Sequence, residues 1–350
     1  MSNFGIKPLL KRITITSNNQ EDVIKEIAHS LSTTYAQNCS ECLVEIPSHT
    51  GKGFIKSINF EGGLTMMDYQ CIFFEDTQFI FKGSKNAPLK FLFNLKSNLL
   101  HFLEGKPNPQ SLEGYQRAII TSDVNHSHAF YFPKKDYINF NSLEIERYLF
   151  KNKMSTELQN LSPELNKIFG DISTEKFFYH KGYYNLKIAD LLHEIRKFEE
   201  EDFLKKIFLE GKAYQILGHH LRLFQQDLRK NSISTLRSSE VENIKRIAQL
   251  IKSDLTNIKT VNRYAQDAGL NVNKLQLGFQ ELYELTVNRY IQKVRLEKAQ
   301  ELLATTDCNI SEIVDKIGLS SKSYFSKLFR ENYQMSPSEF RKKNQNFYGK

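Results

Sequence analysis

The strongest constraint on how this chain folds is an approximate internal repeat in its last hundred residues. Residues 264–283 and residues 313–333 share one order of features: a short amphipathic pattern, a glycine at position 269 or 318, a polar residue, and a second apolar pattern at helical spacing. Glycine tolerates the positive φ of a tight turn between two helices. Each copy therefore predicts a helix-turn-helix unit, whose second helix is suited to the major groove of DNA.

Capping residues support this interpretation, because side chains that accept hydrogen bonds from a first helical turn precede the predicted helices. They are Thr260, Asn271, Asn309 with Glu312, Ser321, Ser336 with Pro337 and Glu339, and Ser239 with Glu242 for the leading helix. Between the units, apolar spacing predicts one helix over residues 287–304, ~27 Å long at ~1.5 Å per residue. The two second helices would then lie ~34 Å apart, one turn of B-DNA.

Positive charge is concentrated in the same segment. The chain has a formal net charge of +8, and 18 Lys and Arg against 13 Asp and Glu place +5 of it in residues 240–350. A basic domain suits an anionic partner such as nucleic acid, although charge alone is a weak indicator.

The first half of the chain has the pattern of β-structure. Short apolar and aromatic runs, partly alternating, are separated by turns that contain glycine and proline. These runs lie at residues 71–74, 79–81, 89–95, 118–120 and 129–132. The one helical pattern in this half covers residues 20–35. We predict an antiparallel β-domain over residues 1–175, either a sandwich or a cupin-like barrel.

Two amphipathic helices are predicted next, over residues 186–198 and 203–228. Either the second helix offers a face to another subunit and forms a homodimer, or both helices pack back onto the β-domain. The sequence leaves both alternatives open. We assign residues 176–235 to this helical segment and its polar, serine-rich linker, and residues 236–350 to the helix-turn-helix domain. The expected fold class is a multidomain α+β chain.

Longer motifs coincide with the second copy of the repeat. They are residues 310–318 (ISEIVDKIG), 323–330 (SYFSKLFR) and 335–341 (MSPSEFR), with residues 295–303 (RLEKAQELL) in the connecting helix. Together they resemble the signature of the AraC/XylS family of transcription regulators, over roughly residues 240–343. The resemblance implies sequence-specific binding to double-stranded promoter DNA, transcriptional activation through RNA polymerase, and an N-terminal domain that binds a small-molecule effector.

The sequence departs from the family pattern at four positions. Glu284 and Gln334 replace the glycine that usually follows each recognition helix, and Val314 replaces alanine. Leu277 stands where the family commonly has arginine, and Lys327 takes the equivalent place in the second unit. These changes leave the expected fold intact but put base recognition by the first unit in doubt.

Outward positions of the two recognition helices are the candidates for DNA contacts, because Leu275, Phe279, Phe325, Leu328 and Phe329 are expected in the core. The candidates are Asn271, Asn273, Lys274, Gln276 and Gln280 in the first unit, and Ser321, Lys322, Ser323, Ser326, Lys327 and Arg330 in the second. Asn and Gln side chains can pair bidentately with adenine, and Lys327 is the expected base contact beside backbone contacts from Arg330 and Lys322. For any single position the alternative is a solvated surface residue.

Other candidate sites carry weaker signals. Cys39 and Cys42 form a CxxC, but a closed zinc site needs four ligands, and nothing in the sequence brings His126 and His128 to it. His219 and His220 are expected to pack or to face solvent. We find no phosphate-binding glycine loop, nucleophile elbow or supported carboxylate pair, and therefore expect no metal, no cofactor and no enzymatic activity.

Two hypotheses for the whole chain follow. In the first, it is a one-component activator whose N-terminal β-domain senses a small molecule. In the second, the N-terminal half is a protein-interaction or enzymatic module that the C-terminal domain recruits to DNA. The first residues lack the features of an export signal and no apolar run nears twenty residues, so we expect a cytoplasmic protein without a membrane segment.

Overall fold

A computed structural model describes residues 10–38, 40–96, 99–106, 108–170, 177–198, 202–229 and 236–347. The chain divides into two compact units, Met1–Ser234 and Thr235–Lys350. The helical segment predicted between the domains belongs to the first unit, and most of its linker, residues 230–235, lies outside the described residues. None of the described helices combines the length and the apolar character that crossing a membrane requires.

The first unit is built on two β-sheets. The strands are, in chain order, β1 Lys11–Ile15, β2 Tyr35–Asn38, β3 Glu41–Glu45, β4 Gly51–Phe60, β5 Leu64–Phe73, β6 Thr77–Phe81, β7 Leu89–Lys96, β8 Leu99–Leu103, β9 Gln110–Leu112, β10 Arg117–Thr121, β11 His128–Phe132, β12 Ile138–Ile145 and β13 Phe178–Lys181. The smaller sheet has the order β1-β6-β11-β8-β9, and the larger has the order β13-β10-β7-β12-β5-β4-β3-β2. One apolar core contains side chains from both sheets, including Phe79 and Phe130 from one and Tyr69 and Phe140 from the other.

The prediction of antiparallel β-structure is confirmed for the described strand pairs except one. β1 pairs parallel to β6, with Lys11 opposite Thr77. A parallel pair needs a long crossover, and here the crossover includes a helix and four strands of the other sheet. Such pairing across 66 residues leaves no local pattern in the sequence, which explains why it was not predicted.

The helices of the first unit are α1 Gln20–Ser30, α2 Arg147–Lys153, a 3₁₀ turn Glu157–Asn160, α3 Pro163–Phe169, α4 Leu186–Lys197 and α5 Asp202–Arg229. α4 and α5 occupy the predicted places. α1 begins where predicted but ends at Ser30, five residues before the predicted end, and Tyr35 begins β2. α2 and α3 were not predicted, because seven residues are too few to establish a helical period.

α4 and α5 pack on the outer face of the larger sheet. Arg196 of α4 donates to Asp68 on β5, and Asp227 of α5 forms an ion pair with the fully buried Arg117 on β10. The His220 ring of α5 is buried against Phe91, with ring centroids 5.5 Å apart. Packing on the β-domain is therefore observed, while α5 still leaves one apolar face exposed.

The second unit consists of helices in the described residues. They are α6 Ser238–Ser253, α7 Val261–Asp267, α8 Val272–Tyr283, α9 Val287–Thr305, α10 Ile310–Lys316, α11 Lys322–Tyr333 and α12 Pro337–Phe347. Each lies where the sequence predicts one, and α9 is one residue longer than predicted.

The predicted start of the leading helix was wrong by two residues. Arg237, not Ser239, is the N-cap of α6, and Glu240 rather than Glu242 accepts a hydrogen bond from the Arg237 backbone N–H at 2.9 Å. The Glu240 carboxylate also forms an ion pair with Lys274 of α8. Because Lys274 lies 34 residues later in the chain, the local serine-glutamate pattern could not predict this ion pair.

Candidate nucleic-acid interface

Two helix-turn-helix units form in the second unit as the repeat predicts. α7 and α8 meet at Gly269, and α10 and α11 meet at Gly318, with φ of 65° and 68°. Both values lie in the left-handed region that glycine adopts at little cost. In each unit the two helices are in contact, α7 with α8 and α10 with α11.

The predicted core residues of the recognition helices are all buried. Leu275 and Phe279 of α8 are fully buried, as are Phe325 and Phe329 of α11, and Leu328 is 8% exposed. Because these side chains fix one face of each helix against its unit, the opposite face is turned outward. That outward face holds most of the candidate DNA contacts.

Both recognition helices begin with the predicted caps. The Asn271 side chain accepts from the Lys274 backbone N–H at 2.8 Å, and the Ser321 hydroxyl accepts from the Tyr324 backbone N–H at 3.2 Å. The two N-caps are exposed, but each uses a side-chain oxygen for its own helix. Their first role is therefore structural.

Two candidates for DNA contacts in the first helix-turn-helix already bind other residues of the protein. Lys274 forms an ion pair with Glu240 of α6 at 2.6 Å. The Gln276 side chain accepts from the Val287 backbone N–H at 3.1 Å, at the first turn of α9. Asn273 and Gln280 are exposed, and Leu277 between them exposes 62% of its surface. The outward face of α8 is thus largely neutral.

The second recognition helix presents a different surface. Lys322, Ser323, Lys327 and Arg330 are exposed on α11, and Ser326 is half-buried. Tyr324 is exposed as well, and its hydroxyl accepts from the Gln292 side chain of α9 at 3.1 Å.

Tyr324 was absent from the predicted contacts because an aromatic residue in a helical pattern usually indicates core. Comparison of the two copies of the repeat could have identified Tyr324 as an outward-facing residue. Tyr324 is three residues beyond its cap, as Lys274 is in the first unit, and both side chains reach back to the preceding long helix.

Glu284 and Gln334 keep the conformation of the glycine that they replace. Their φ values are 61° and 58°, so each recognition helix ends on a left-handed residue. A non-glycine residue there is less favourable by ~1–2 kcal/mol. The departures from the family pattern therefore cost stability without changing the fold.

The cysteine and histidine residues considered as metal ligands do not form a common site among the described residues. Cys39 lies outside the described residues, and Cys42 is buried. His126 hydrogen-bonds Asp123 at 2.8 Å near the surface, whereas His128 is buried. No group of three or more His, Cys, Asp or Glu side chains suited to a metal ion exists among the residues that the structure describes.

Buried polar groups lie inside the β-domain. Lys90 and Glu144 form an ion pair at 2.6 Å with both side chains almost fully buried. Nearby, His101 Nε2 lies 3.1 Å from His128 Nδ1. Burial lowers the pKa of His101 to about 3, assisted by the charge of Lys90, so this imidazole is neutral at physiological pH. The sequence could not indicate this cluster, because its members come from four separate strands.

Comparison with known proteins agrees with the geometry of the second unit. A helix-turn-helix domain model matches residues 264–343. The Msm operon regulatory protein of Streptococcus mutans is 26% identical over 49% of this chain and 61% of its own length. The transcriptional activator RhaR of Escherichia coli is 24% identical over 70% of this chain and 82% of its own length. A solved structure from Chromobacterium violaceum, a transcriptional regulator described as having an AraC-type DNA-binding domain, shares 21% identity over 31% of this chain and 96% of that chain, with a TM-score of 0.29. This chain thus spans less than two thirds of the length of the Streptococcus mutans relative.

Proposed function

Because this chain belongs with the AraC-type DNA-binding transcription regulators, we propose that it binds promoter DNA through both helix-turn-helix units and controls transcription there. The single observation that carries the proposal is the exposed polar face of α11, where Lys322, Lys327 and Arg330 project from a helix whose other face is anchored by Phe325 and Phe329. A helix of this kind can enter a major groove, with lysine or arginine directed at guanine or phosphate.

The two helix-turn-helix units make unequal contributions in this proposal. The second helix-turn-helix supplies cationic contacts from α11. The first helix-turn-helix supplies Asn273 and Gln280, suited to adenine, and Leu277, suited to a thymine methyl group. Lys274 and Gln276 already bind Glu240 and the Val287 backbone, so they are weaker candidates for DNA contacts. α9 has 19 residues, a length compatible with two recognition helices about one helical turn of DNA apart.

Replacing Lys327 by alanine tests the assignment of a base contact. The duplex is first selected from a random pool by the full chain, and binding is followed by fluorescence anisotropy over a salt series. We expect a loss of ~1–3 kcal/mol in affinity for the selected duplex and relaxed preference at one base pair. Asn332→Ala, on an exposed position of the same helix outside the candidate face, is the control and should bind as the unchanged chain does. Uniform weakening on every duplex would instead assign Lys327 to the backbone.

A steep fall of log K with log salt tests the proposed function itself, since each phosphate contact contributes ~0.9 to the slope. If the full chain shows a flat slope and yields no selectable duplex, the DNA-binding proposal fails.

We infer further that the N-terminal unit binds a small-molecule effector, and the polar cluster of Lys90, Glu144, His101 and His128 inside the β-domain supports this. We also propose that the chain activates transcription with RNA polymerase, in the cytoplasm and without enzymatic activity, and the support for activation is the similarity to the transcriptional activator RhaR. A metabolite that binds only the folded unit must raise its melting temperature. The rival hypothesis, a protein-interaction or enzymatic module, is favoured if metabolites leave the melting temperature unchanged while a protein partner co-purifies.

The exposed face of α5 supports a homodimer. Leu204 and Ile207 expose 61% and 56% of their surfaces, and Gly211 and Gly218 have open space where a Cβ would stand. The 7-residue spacing of Leu204, Gly211 and Gly218 suits close approach by the same helix of a second copy. We expect Ile207→Glu to shift the full chain from dimer to monomer in sedimentation, while Asn86→Glu, exposed in the turn before β7, leaves it dimeric. A monomer before any substitution would contradict this arrangement.

A further inference from the structure

Most cationic side chains of the second unit are already engaged within the protein. Lys274, Lys293 and Lys298 pair with glutamates, and Lys259 and Arg263 pair with one aspartate. The Arg295 and Arg341 guanidinium groups donate to backbone carbonyls. A cation that has such a partner must lose it before it can bind an external anion.

A few cations in the described part of this unit have no such partner. Arg289, Lys322, Lys327 and Lys342 take part in no ion pair and no side-chain hydrogen bond among the described residues. Lys322 and Lys327 belong to the face of α11 discussed above. Arg289 belongs to the first turn of α9, outside both recognition helices, and no motif in the sequence indicated it.

Arg289 and Lys327 line the same cleft. It lies between the first turns of α9 and the outward side of α11 and has a volume of about 390 Å³. Asn288 and Gln292 of α9 and Tyr324 of α11 add polar groups to its walls. Glu331, one helical turn beyond Lys327, also lines the cleft, and no ion pair joins it to either cation among the described residues. The cleft therefore brings together two free cations, one carboxylate and neutral hydrogen-bond donors beside the recognition helix.

The chemistry of these groups suits a phosphodiester. Arginine presents a planar set of donors that matches two phosphate oxygens, and amide and phenol groups can donate to the same anion. Elements that flank a recognition helix contact the DNA backbone, whereas base edges are reached by the inserted helix. Arg289 lies on the flanking helix, so its partner is a phosphate and not a base.

We propose that this cleft holds one phosphate of the DNA strand beside the second major groove, with Arg289 as its principal ligand and Asn288 and Tyr324 as further donors. Arg289 then contributes affinity that does not depend on the base sequence, because a phosphate is the same at every base pair. This inference rests on the proposed DNA-binding function.

The test uses the full chain and the duplex that it selects, with a scrambled duplex for comparison. Arg289→Ala is expected to weaken binding about tenfold on both duplexes and to lower the salt slope by ~0.9, the contribution of one phosphate contact. Arg289→Lys keeps the charge and should keep most of the slope. Lys293→Ala is the matched control, because it lies one turn along α9 and is paired with Glu297 at 3.4 Å. It should leave both the affinity and the slope unchanged.

A neutral methylphosphonate placed at successive positions of the selected duplex identifies the phosphate. At one position the substitution should weaken binding by the unchanged chain and have no effect on Arg289→Ala, because both changes remove the same contact. If the unchanged chain shows a steep slope and Arg289→Ala binds identically, the cleft is not a phosphate site, and the DNA-binding function stands. If Arg289→Ala alters base preference instead of binding both duplexes equally weakly, the assignment to the backbone is wrong. If the unchanged chain binds no duplex, the proposed function fails and the inference fails with it.

Discussion

Replacing Gly318 by alanine is expected to destabilise the second helix-turn-helix unit by ~2–5 kcal/mol and to abolish DNA binding at physiological temperature. Gly318 has a φ of 68°, and a Cβ at this position would stand 2.0 Å from the Leu255 carbonyl oxygen. Alanine would therefore add a left-handed backbone penalty of ~1–2 kcal/mol to a steric conflict with backbone atoms of ~1–3 kcal/mol. The conflict cannot relax cheaply, because Arg295 donates to both the Leu255 and the Gly318 carbonyls.

The first helix-turn-helix, α7 and α8, provides the matched control for this substitution. Gly269 has a φ of 65°, but a Cβ there would have no heavy atom within 4 Å. Gly269→Ala should therefore cost only the backbone penalty, ~1–2 kcal/mol. Urea unfolding of the full chain, followed by helix content, measures both variants. Equal losses in the two variants would mean that the contact with Leu255 does not restrain the second turn.

Replacing Lys90 by methionine is expected to lower the stability of the N-terminal unit, Met1–Ser234, by ~3–5 kcal/mol. The change leaves the Glu144 carboxylate, which also accepts a hydrogen bond from Ser142, buried without the counter-ion that now lies 2.6 Å away. Removing one member of a buried ion pair costs this much because the remaining charge stays desolvated. The melting temperature of the first unit should fall by about 10 °C, since each kcal/mol corresponds to ~2–4 °C in a domain of this size.

Two controls separate charge burial from lost packing. Lys90→Met combined with Glu144→Leu removes both charges and should recover most of the stability. Lys298→Met removes a pair with Glu301 in which both side chains are about half exposed, and should change stability by less than ~1 kcal/mol. Thermal unfolding followed by circular dichroism measures all three variants. A loss in Lys90→Met no greater than in Lys298→Met would show that the interior pair is hydrated.

The sequence predicted the second unit almost completely because its signals are local. Each helix-turn-helix is specified within about twenty residues by helical spacing, a turn glycine and a cap, and Asn271 and Ser321 make the predicted hydrogen bonds. In the N-terminal unit the runs that became β5, β6, β7, β10 and β11 were recognised for the same reason, but the other eight described strands were not. Strand partners were not recognised either, since β1 pairs with a strand 66 residues away.

Within the candidate interface, the sequence determined which residues face outward, and the tertiary structure decided which of those are free to bind. Helical period alone separates Phe325 and Phe329 from Lys327. It cannot show that Lys274 is held by Glu240, 34 residues earlier, or that Arg289 shares a cleft with α11. The period of a helix fixes the direction of a side chain, whereas its availability depends on atoms that only folding brings within a few ångströms.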